Sequence, residues 1–368
     1  MEMRNTTQIA AASESGAPIR FTLAERLAAL KSSEPRLRLR DAATRLGVGE
    51  MELVALDLGE GAVRLDGPWG TVIEQLHTLG PVMALTRNEH AVHEKTGQYD
   101  NVSIGGPHGL VLGPDIDLRL FLSQWKHGFA VREATGDMVR HSLQFFDAAG
   151  AAVHKVYMTG QSDMARHAAL VERFRHAAQA VPPVVAGKEA AAPLPDERID
   201  VPGFLAAWDA LKDTHEFFPM LRKFNVARTQ ALRLAGPERA RPVANLALRT
   251  TLEAASRSEL PIMVFVGNPG CIQIHTGPVK SLRATGPWFN VLDPGFNLHL
   301  RETAIASSWV VTKPTGDGPV TSLELFDQDG GNIALLFGKR KPGEPEVAAW
   351  RKLALSLPEA VALPAEAR

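Results

Sequence analysis

The segment 213–219 (DTHEFFP) has the residue types needed to bind a metal ion through an imidazole. Asp213, followed three positions later by Glu216, is typical of a helix start, where the two side chains cap free backbone N–H groups. His215 would then lie in the first turn, at the positive end of the helix dipole. That position favours the neutral imidazole, which is the form that ligates metals.

The residues that follow His215 offer an aromatic surface. Phe217 and Phe218 could form an apolar wall beside a flat aromatic ligand. Pro219 has no N–H to bond the His215 carbonyl oxygen, so the first turn of the helix should be loosened. A single histidine is more often a packed or surface residue than a ligand, and these residues alone leave both interpretations open.

Two other motifs indicate packing more than chemistry. The segment 42–54 has the spacing of a helix-turn-helix, but its second helix offers Glu50 and Glu52 instead of basic side chains. A helical hairpin packed on a sheet is therefore favoured over a DNA-binding regulator, which stays the weaker alternative. His90 and His93 lie three apart in a predicted strand, where their side chains point to opposite faces and cannot share a zinc ion.

The two halves of the chain repeat each other at a separation of 180 residues. Asn88 recurs as Asn268, and the segment 81–83 (PVM) recurs as 261–263 (PIM). A period this long indicates one domain-sized fold present twice, because solenoid units are much shorter. Positions at which the two copies differ are therefore candidates for chemistry.

Two such positions change the kind of group that a ligand would meet. Arg119 in the first copy lies opposite His299 in the second, and strand alternation sends Arg119 and Phe121 to the same face. In the helical part, an offset of 178 places Leu37 opposite His215. Neutral divergence after duplication would also explain both differences.

The periodicity of apolar residues predicts an α+β fold, a tandem structural repeat in which each half is an antiparallel sheet with packed helices. Residues three or four apart predict helices in 21–48 and in 163–180, the second capped by Asp163. Helices are also predicted in 202–234 and 345–357, and antiparallel strands, from short alternating runs, in 62–159 and 243–337.

These elements divide the chain into two repeats and three connecting or terminal segments. We expect a disordered lead at 1–20, an N-terminal repeat at 21–180, a Pro/Ala-rich linker at 181–200, a C-terminal repeat at 201–360 and a tail at 361–368.

Composition excludes several classes of partner. The net charge of −1 gives no global attraction to nucleic acid or to an acidic membrane, so no nucleic-acid partner is expected. No run approaches the roughly 20 apolar residues of a membrane span, so stable membrane insertion is not expected. The single cysteine, Cys271, lies in a predicted buried strand and excludes an internal disulfide. With no signal peptide at the start, it indicates a cytoplasmic protein.

Several runs resemble those of the HemS/ChuS-type hemin-degrading or heme-transport factors. They are 85–89 (LTRNE), 117–125 (DLRLFLSQW), 213–218 and 338–343 (GKRKPG), and the resemblance extends over nearly the whole chain after residue 21. The resemblance implies tandem repeats with one heme in a cleft between the halves.

The same resemblance implies roles for five residues. His215 corresponds to the axial ligand of the heme iron, Arg119 to an arginine on the opposite heme face, and Phe121 to its aromatic neighbour. Lys313 and Arg340 correspond to basic residues near the heme, which we expect to pair with its propionates. A site divided in this way predicts that neither half alone binds heme tightly.

The resemblance implies non-covalent heme b in bacterial heme uptake and iron acquisition, and it leaves two functions open. A carrier would take heme from an inner-membrane ABC transporter and pass it to a heme oxygenase. An enzyme would degrade heme with O₂ or peroxide, and Arg119 would donate charge-assisted hydrogen bonds on the distal side. The enzyme would need an external electron donor, because no flavin or NAD motif is present. Sequence does not separate these functions or give the oligomeric state.

Overall fold

A computed structural model describes residues 21–135, 137–180, 182–187, 193–341 and 343–360. The predicted lead at 1–20 and the predicted tail at 361–368 lie outside the described residues, as do 181 and 188–192 of the predicted linker.

Most helices precede or follow the strands of each half, and one helix in each half lies between its first two strands. In chain order they are α1 (Leu23–Ser33), α2 (Leu39–Leu46), α3 (Glu50–Ala55), α4 (Trp69–Gln75), α5 (Met164–Arg173), α6 (Val201–Asp209), α7 (Phe217–Phe224), α8 (Arg228–Leu234), α9 (Ala247–Arg257) and α10 (Ala348–Leu355).

The strands of the N-terminal half are β1 (Ala62–Leu65), β2 (Val82–Arg87), β3 (Ala91–Gly97), β4 (Val102–Gly105), β5 (His108–Leu112), β6 (Asp117–Phe121), β7 (His127–Thr135), β8 (Met138–Phe146) and β9 (Ala152–Met158). Those of the C-terminal half are β10 (Ala240–Val243), β11 (Ile262–Asn268), β12 (Cys271–Gly277), β13 (Leu282–Thr285), β14 (Trp288–Asp293), β15 (Phe296–Arg301), β16 (Ser307–Lys313), β17 (Val320–Phe326) and β18 (Asn332–Gly338).

The strands form two nine-stranded antiparallel sheets, and each sheet contains strands of both halves. The first sheet has the order β1-β7-β8-β9-β2-β3-β15-β14-β13, and the second has the order β10-β16-β17-β18-β11-β12-β6-β5-β4. Strands β4–β6 therefore join the C-terminal half through β12, where Leu118 pairs with Gln273. Strands β13–β15 join the N-terminal half through β3, where Leu298 pairs with His93.

The predicted α+β class and tandem repeat are confirmed, but the exchange of three strands between the halves was not predicted. An alternating pattern identifies a strand and its buried face without naming the strand that it pairs with. Only the register of β6 against β12 and of β15 against β3 shows that neither half completes its own sheet.

The helices confirm the repeat at the expected offset. Helices α2 and α7 begin and end 178 residues apart, and each ends at a left-handed residue, Gly47 with φ 69° and Asn225 with φ 51°. Such residues close the last turn of a helix, and glycine and asparagine tolerate the conformation best. The alignment of Leu37 with His215 is thereby supported.

Asn88 and Asn268, one from each half, join the two sheets near their centre. The Asn268 amide nitrogen donates to the carbonyl oxygens of Arg87 and Val153, each at 2.8 Å. The Asn88 amide nitrogen donates across the repeat to the carbonyl oxygens of Gly267, at 3.1 Å, and Ile333, at 2.8 Å. Each side chain also accepts from two backbone N–H groups of its own turn.

Helices cover the outer parts of both sheets. Helices α9 and α10 pack on one face of the second sheet through Leu252 and Trp350, while Trp208 of α6 lies in a separate core on the other face. On the first sheet, Met51 of α3 is fully buried. Segment 42–54 is thus a hairpin packed on a sheet, because its second helix has little face free to enter a DNA groove.

Three details differ from the sequence predictions. Helix α5 ends at Arg173, well before residue 180, although Asp163 caps it as predicted through the Arg166 N–H. Helices α4 and α9 lie in regions predicted to contain only strands. Both are short amphipathic segments, whose apolar runs cannot be told from buried strands by periodicity alone.

We predict that Asn268→Ala lowers the free energy of unfolding by about 2–4 kcal/mol, because it leaves two backbone carbonyls and two N–H groups without partners at the sheet junction. Urea denaturation monitored by circular dichroism measures the loss. Asn297→Ala is the control, since its amide makes one bond, to Glu94 Oε2 at 3.1 Å, and should cost below about 1 kcal/mol. Equal losses in the two variants would contradict the junction role.

Candidate functional site

One face of the second sheet is apolar and only partly covered. Cross-strand partners share a face, and the register pairs Met263 with Phe337 and Phe265 with Leu335. These four side chains and Ile272 are half-buried, and we call the five the open face of the second sheet. The rings of Phe265 and Phe337 lie 5.1 Å apart.

The opposite face of the same strands is closed. Val264, Val266 and Leu336 alternate with the open-face residues and are fully buried. Helices α6–α8 cover the neighbouring strands of the open side, packing on Val311 and Phe326. An uncovered apolar surface beside a helical cover is the arrangement that suits a flat apolar ligand.

His215 lies in a short turn that leads into the helical cover. Thr214–Glu216 forms one turn of 3₁₀-helix directly before α7, and the predicted capping box of Asp213 and Glu216 is present. The separate turn agrees with the loosening predicted from Pro219. The His215 side chain is 85% exposed, so its ring is accessible to a ligand.

Asp213 orients the His215 ring. Its Oδ1 accepts from the His215 backbone N–H at 2.7 Å and lies 2.6 Å from Nδ1. Because a carboxylate oxygen accepts, Nδ1 donates to Asp213, and in the neutral ring the lone pair is then on Nε2. The backbone hydrogen bond from His215 lowers the pKa of Asp213, with a smaller contribution from Arg340. In metal-binding histidines, the ring nitrogen that does not bind the metal usually donates to a carboxylate, a backbone carbonyl or water, which fixes the orientation of the ring.

The two phenylalanines after His215 do not form the predicted wall together. Phe217 is buried in the core, with its ring 4.8 Å from that of Trp208, whereas Phe218 is 62% exposed. The apolar surface comes from the open face of the second sheet, which sequence reasoning missed. The signal was β11 (IMVFVGN), whose apolar residues point to both faces, as in strands that are covered on both sides.

Arg119 and Phe121 lie on the same face as Ile272, because Arg119 pairs with Ile272 across the β6–β12 junction. The predicted shared orientation of the two side chains is confirmed by the alternating burial along β6. The Arg119 guanidinium bonds Asp117 and the Leu118 carbonyl oxygen, and its side chain is 30% exposed. The Phe121 ring meets His108 edge-on at 5.9 Å.

Lys313 lies in a buried ion pair, and its expected contact with a propionate stays a prediction. Its Nζ lies 2.7 Å from Glu324 Oε1 and 4.4 Å from the centre of the Phe217 ring. Burial lowers the pKa of Lys313, although Glu324 acts against this shift. Burial would raise the pKa of Glu324, but Arg228 and Lys313 hold it well below its usual range.

Arg340 lies where a ligand at the His215 turn could meet it. Its guanidinium is 3.6 Å from Asp317 Oδ2 and also influences Asp213. The side chain is partly exposed and follows directly on β18, which contributes Phe337 to the open face. Of the two basic residues predicted near a ligand, Arg340 acts on Asp213 beside His215, and Lys313 lies under the Phe217 ring.

The first sheet has the opposite arrangement at the equivalent positions. Leu37 occupies the place of His215 and packs with the apolar residues of α1–α3. His299 occupies the place of Arg119, on β15.

In the described part of the chain, no group of three His, Cys, Asp or Glu side chains is placed to hold a metal ion, and no helix is long and apolar enough to cross a membrane.

Comparison with known proteins assigns the chain to a family. A family model described as the haemin-degrading HemS.ChuX domain matches residues 47–174 and 225–357, once in each half. The chain belongs to this HemS family. HemS-family relatives include the hemin transport protein HmuS of Yersinia pestis, which is 43% identical over 328 residues, covering 88% of this chain and 93% of HmuS.

Solved structures of relatives have the same fold. Holo-PhuS, a heme-binding protein from Pseudomonas aeruginosa, is 51% identical with a TM-score of 0.89, and the match covers 91% of this chain and 98% of PhuS. ChuS, described as an E. coli heme oxygenase, is 40% identical with a TM-score of 0.83, covering 90% of this chain and 98% of ChuS. The HemS-family fold therefore extends over both halves.

Lys313 and Arg340 can be separated experimentally. We predict that Lys313→Met lowers the free energy of unfolding by about 2–4 kcal/mol, because Glu324 loses one of two buried cations, while heme affinity changes less than about twofold. Arg340→Met should do the reverse, with a stability change below about 1 kcal/mol and heme binding weakened about three- to tenfold. Denaturation and heme titration measure both. Weaker heme binding by folded Lys313→Met would show instead that Lys313 pairs with a propionate.

Proposed function

We propose that this HemS-family protein binds heme b non-covalently against the open face of the second sheet, with His215 as the axial ligand of the iron. The observation that carries the proposal is the exposed imidazole of His215, whose Nε2 is left free by the Asp213 hydrogen bond at Nδ1. Imidazole ligation is normal chemistry for non-covalent heme.

The residues around this imidazole fit the different parts of a heme. Phe265, Phe337 and Met263 offer apolar contact for a macrocycle, and Arg340 offers a cation for a propionate. Phe121 and Arg119 extend the same face on β6. Relatives described as a hemin transport protein and as a heme-binding protein support the same ligand.

Heme transfer within the cytoplasm is the function that this site supports best. An exposed ligand and an open sheet face allow heme to enter and leave without unfolding the protein. The proposed donor is an inner-membrane ABC transporter, and the proposed acceptor is a heme oxygenase. We also propose that the repeats at 21–180 and 201–360, joined by the linker at 181–200, act as one binding unit, because β6 of the first repeat belongs to the second sheet.

His215→Ala should lower heme affinity at least ~100-fold, because it removes the axial ligand while leaving the capping interaction of Asp213 with the backbone in place. A Soret-band titration of the apoprotein measures the affinity. His77→Ala, which removes an exposed histidine outside the second sheet, should leave it within about twofold. Unchanged affinity in His215→Ala would overturn the assignment, and His299 would then be tested as the ligand.

Heme degradation is a second candidate function, and Arg119 favours it. Its guanidinium lies on the same sheet face as Ile272, where its donors can stabilise negative charge developing on oxygen. When bound, heme supplies the iron chemistry of oxygen activation. The similarity to ChuS, a relative described as a heme oxygenase, supports this candidate, which needs O₂ or peroxide and an external electron donor.

We predict that Arg119→Ala slows heme degradation at least ~10-fold while changing heme affinity less than about threefold, because the charged donors act on the reaction more than on binding. The assay supplies heme-loaded protein with O₂ and a reductase, and catalase is present so that free peroxide cannot attack heme. Arg119→Lys keeps the charge without the planar fork and should recover only part of the rate. If the wild-type protein does not degrade heme in the presence of catalase, heme transfer remains the proposed function.

A further inference from the structure

The first sheet has a face equivalent to the open face of the second sheet, but several of its residues are polar or charged. Register places Arg87, Val92 and His299 in one row across β2, β3 and β15. Glu94 lies on the same face and accepts from the Asn297 amide at 3.1 Å. We call Leu85, Arg87, Glu94, Asn297 and His299 the open face of the first sheet, and Met83, Val92 and Tyr157 lie on the same side. Its charged groups would exclude an apolar macrocycle.

Arg87 is a largely buried cation with unused hydrogen-bond donors. Its Nε donates to the Asn88 carbonyl oxygen at 3.3 Å, and its two terminal nitrogens have no acceptor among the described residues. Burial lowers the pKa of Arg87 to about 10, and Arg40 acts in the same direction, whereas Glu50, Glu89 and Asp41 act against the shift. A negative charge bound beside this guanidinium would offset the cost of burying it.

Three carboxylates act on Arg87, those of Glu50, Glu89 and Asp41, and the first two are already paired. Glu50 accepts from Lys155 Nζ at 2.6 Å in a buried ion pair, and Glu89 bonds one nitrogen of Arg40. Neither carboxylate bonds Arg87. Two neighbouring guanidinium groups with donors to spare are the arrangement that proteins use for phosphate and carboxylate groups.

His299 offers a fixed acceptor at the other end of the row. The Asn290 amide nitrogen donates to the Arg283 carbonyl oxygen at 2.8 Å, which turns Asn290 Oδ1 toward His299 Nδ1, also at 2.8 Å. Nδ1 therefore carries the proton, and Nε2 is free to accept. Burial lowers the pKa of His299, Glu94 opposes the shift, and Arg38 adds to it, which places Arg38 close to the ring.

Arg38 belongs to a loop that borders this face. A groove of about 550 Å³ is lined by residues 34–38 and Asp41, at the start of α2. Arg38 is the N-cap of α2 and makes no side-chain cap, and α2 is the counterpart of the helix that follows His215. Two strand spacings, about 10 Å, separate Arg87 from His299 along the row. The site is therefore long enough for a ligand with two anionic ends.

We propose that the open face of the first sheet binds a small polyanion, a polycarboxylate or a polyphosphate. One anionic group lies between Arg87 and Arg40, the other meets Arg38, and a hydroxyl or acid proton of the ligand donates to His299 Nε2. This site is distinct from the proposed heme site, and it does not require that heme binds at all.

Isothermal titration calorimetry of the full chain, at fixed ionic strength and without heme, tests the proposal with citrate, pyrophosphate and acetate. We expect saturable binding of citrate, pyrophosphate or both, at least ~10-fold tighter than acetate. The better of the two ligands shows whether carboxylate or phosphate is the natural group. No saturable binding of either polyanion, or acetate bound equally well, would overturn the proposal.

Variants locate the site. Arg87→Met should weaken polyanion binding at least ~10-fold, and His299→Ala about threefold or more. Arg257→Met removes an exposed arginine of α9 whose contact is an ion pair with Glu253, and it should stay within twofold of the wild-type. If Arg87→Met does not fold, the ¹⁵N resonances of the histidines in the wild-type protein test the location of the site. Citrate should shift the resonances of His299 and leave those of His77 unchanged. If heme displaces citrate from the His215→Ala protein, then heme occupies this face and the polyanion proposal is overturned.

Discussion

The pairing of β6 with β12 and of β15 with β3 is the constraint on which the rest of this molecule depends. Each pairing carries three strands of one half into the sheet of the other, so neither sheet is complete without both halves. The side chains of β6 thereby share a face with the apolar residues of β11, β12 and β18. A face that offers Arg119 together with Phe265 exists only because the chain crosses over in this way.

The two copies share one scaffold, but the charges of an ion pair between a helix start and the sheet are reversed between them. In the first copy, Glu50 at the start of α3 bonds Lys155 on β9, while in the second copy Arg228 at the start of α8 bonds Glu324 on β17. Both pairs attach a helix start to a sheet, and burying one charge requires its partner nearby. The charge at the helix start is thereby reversed in sign while the helix keeps its place in the fold. The apolar face of the second sheet and the polar face of the first can thus differ in ligand on the same backbone.

Sequence predicted much of this fold and part of the candidate site. Local signals were sufficient where the physics is local, as in the capping box at Asp213, the helical hairpin around Gly47 and the shared face of Arg119 and Phe121. Sequence was not sufficient to predict side-chain environments that depend on distant parts of the chain. The burial of Phe217 and the commitment of Lys313 to Glu324 follow from how α7 packs on β16 and β17, and no periodicity in either segment contains that information. The open face at Met263 and Phe265 likewise depends on which strands the helices leave uncovered.

The exchanged strands also affect the order in which parts of the protein can fold during synthesis. Strands β4–β6 leave the ribosome long before β12, so β6 lacks its partner until most of the C-terminal half has been synthesised. Such long-range pairings form late and slowly, because the intervening chain must first be confined. Arg119 therefore reaches the open face of the second sheet only in a finished chain. A nascent or truncated chain would present an unpaired strand edge, which is a target for aggregation and quality control, and not a partly working site.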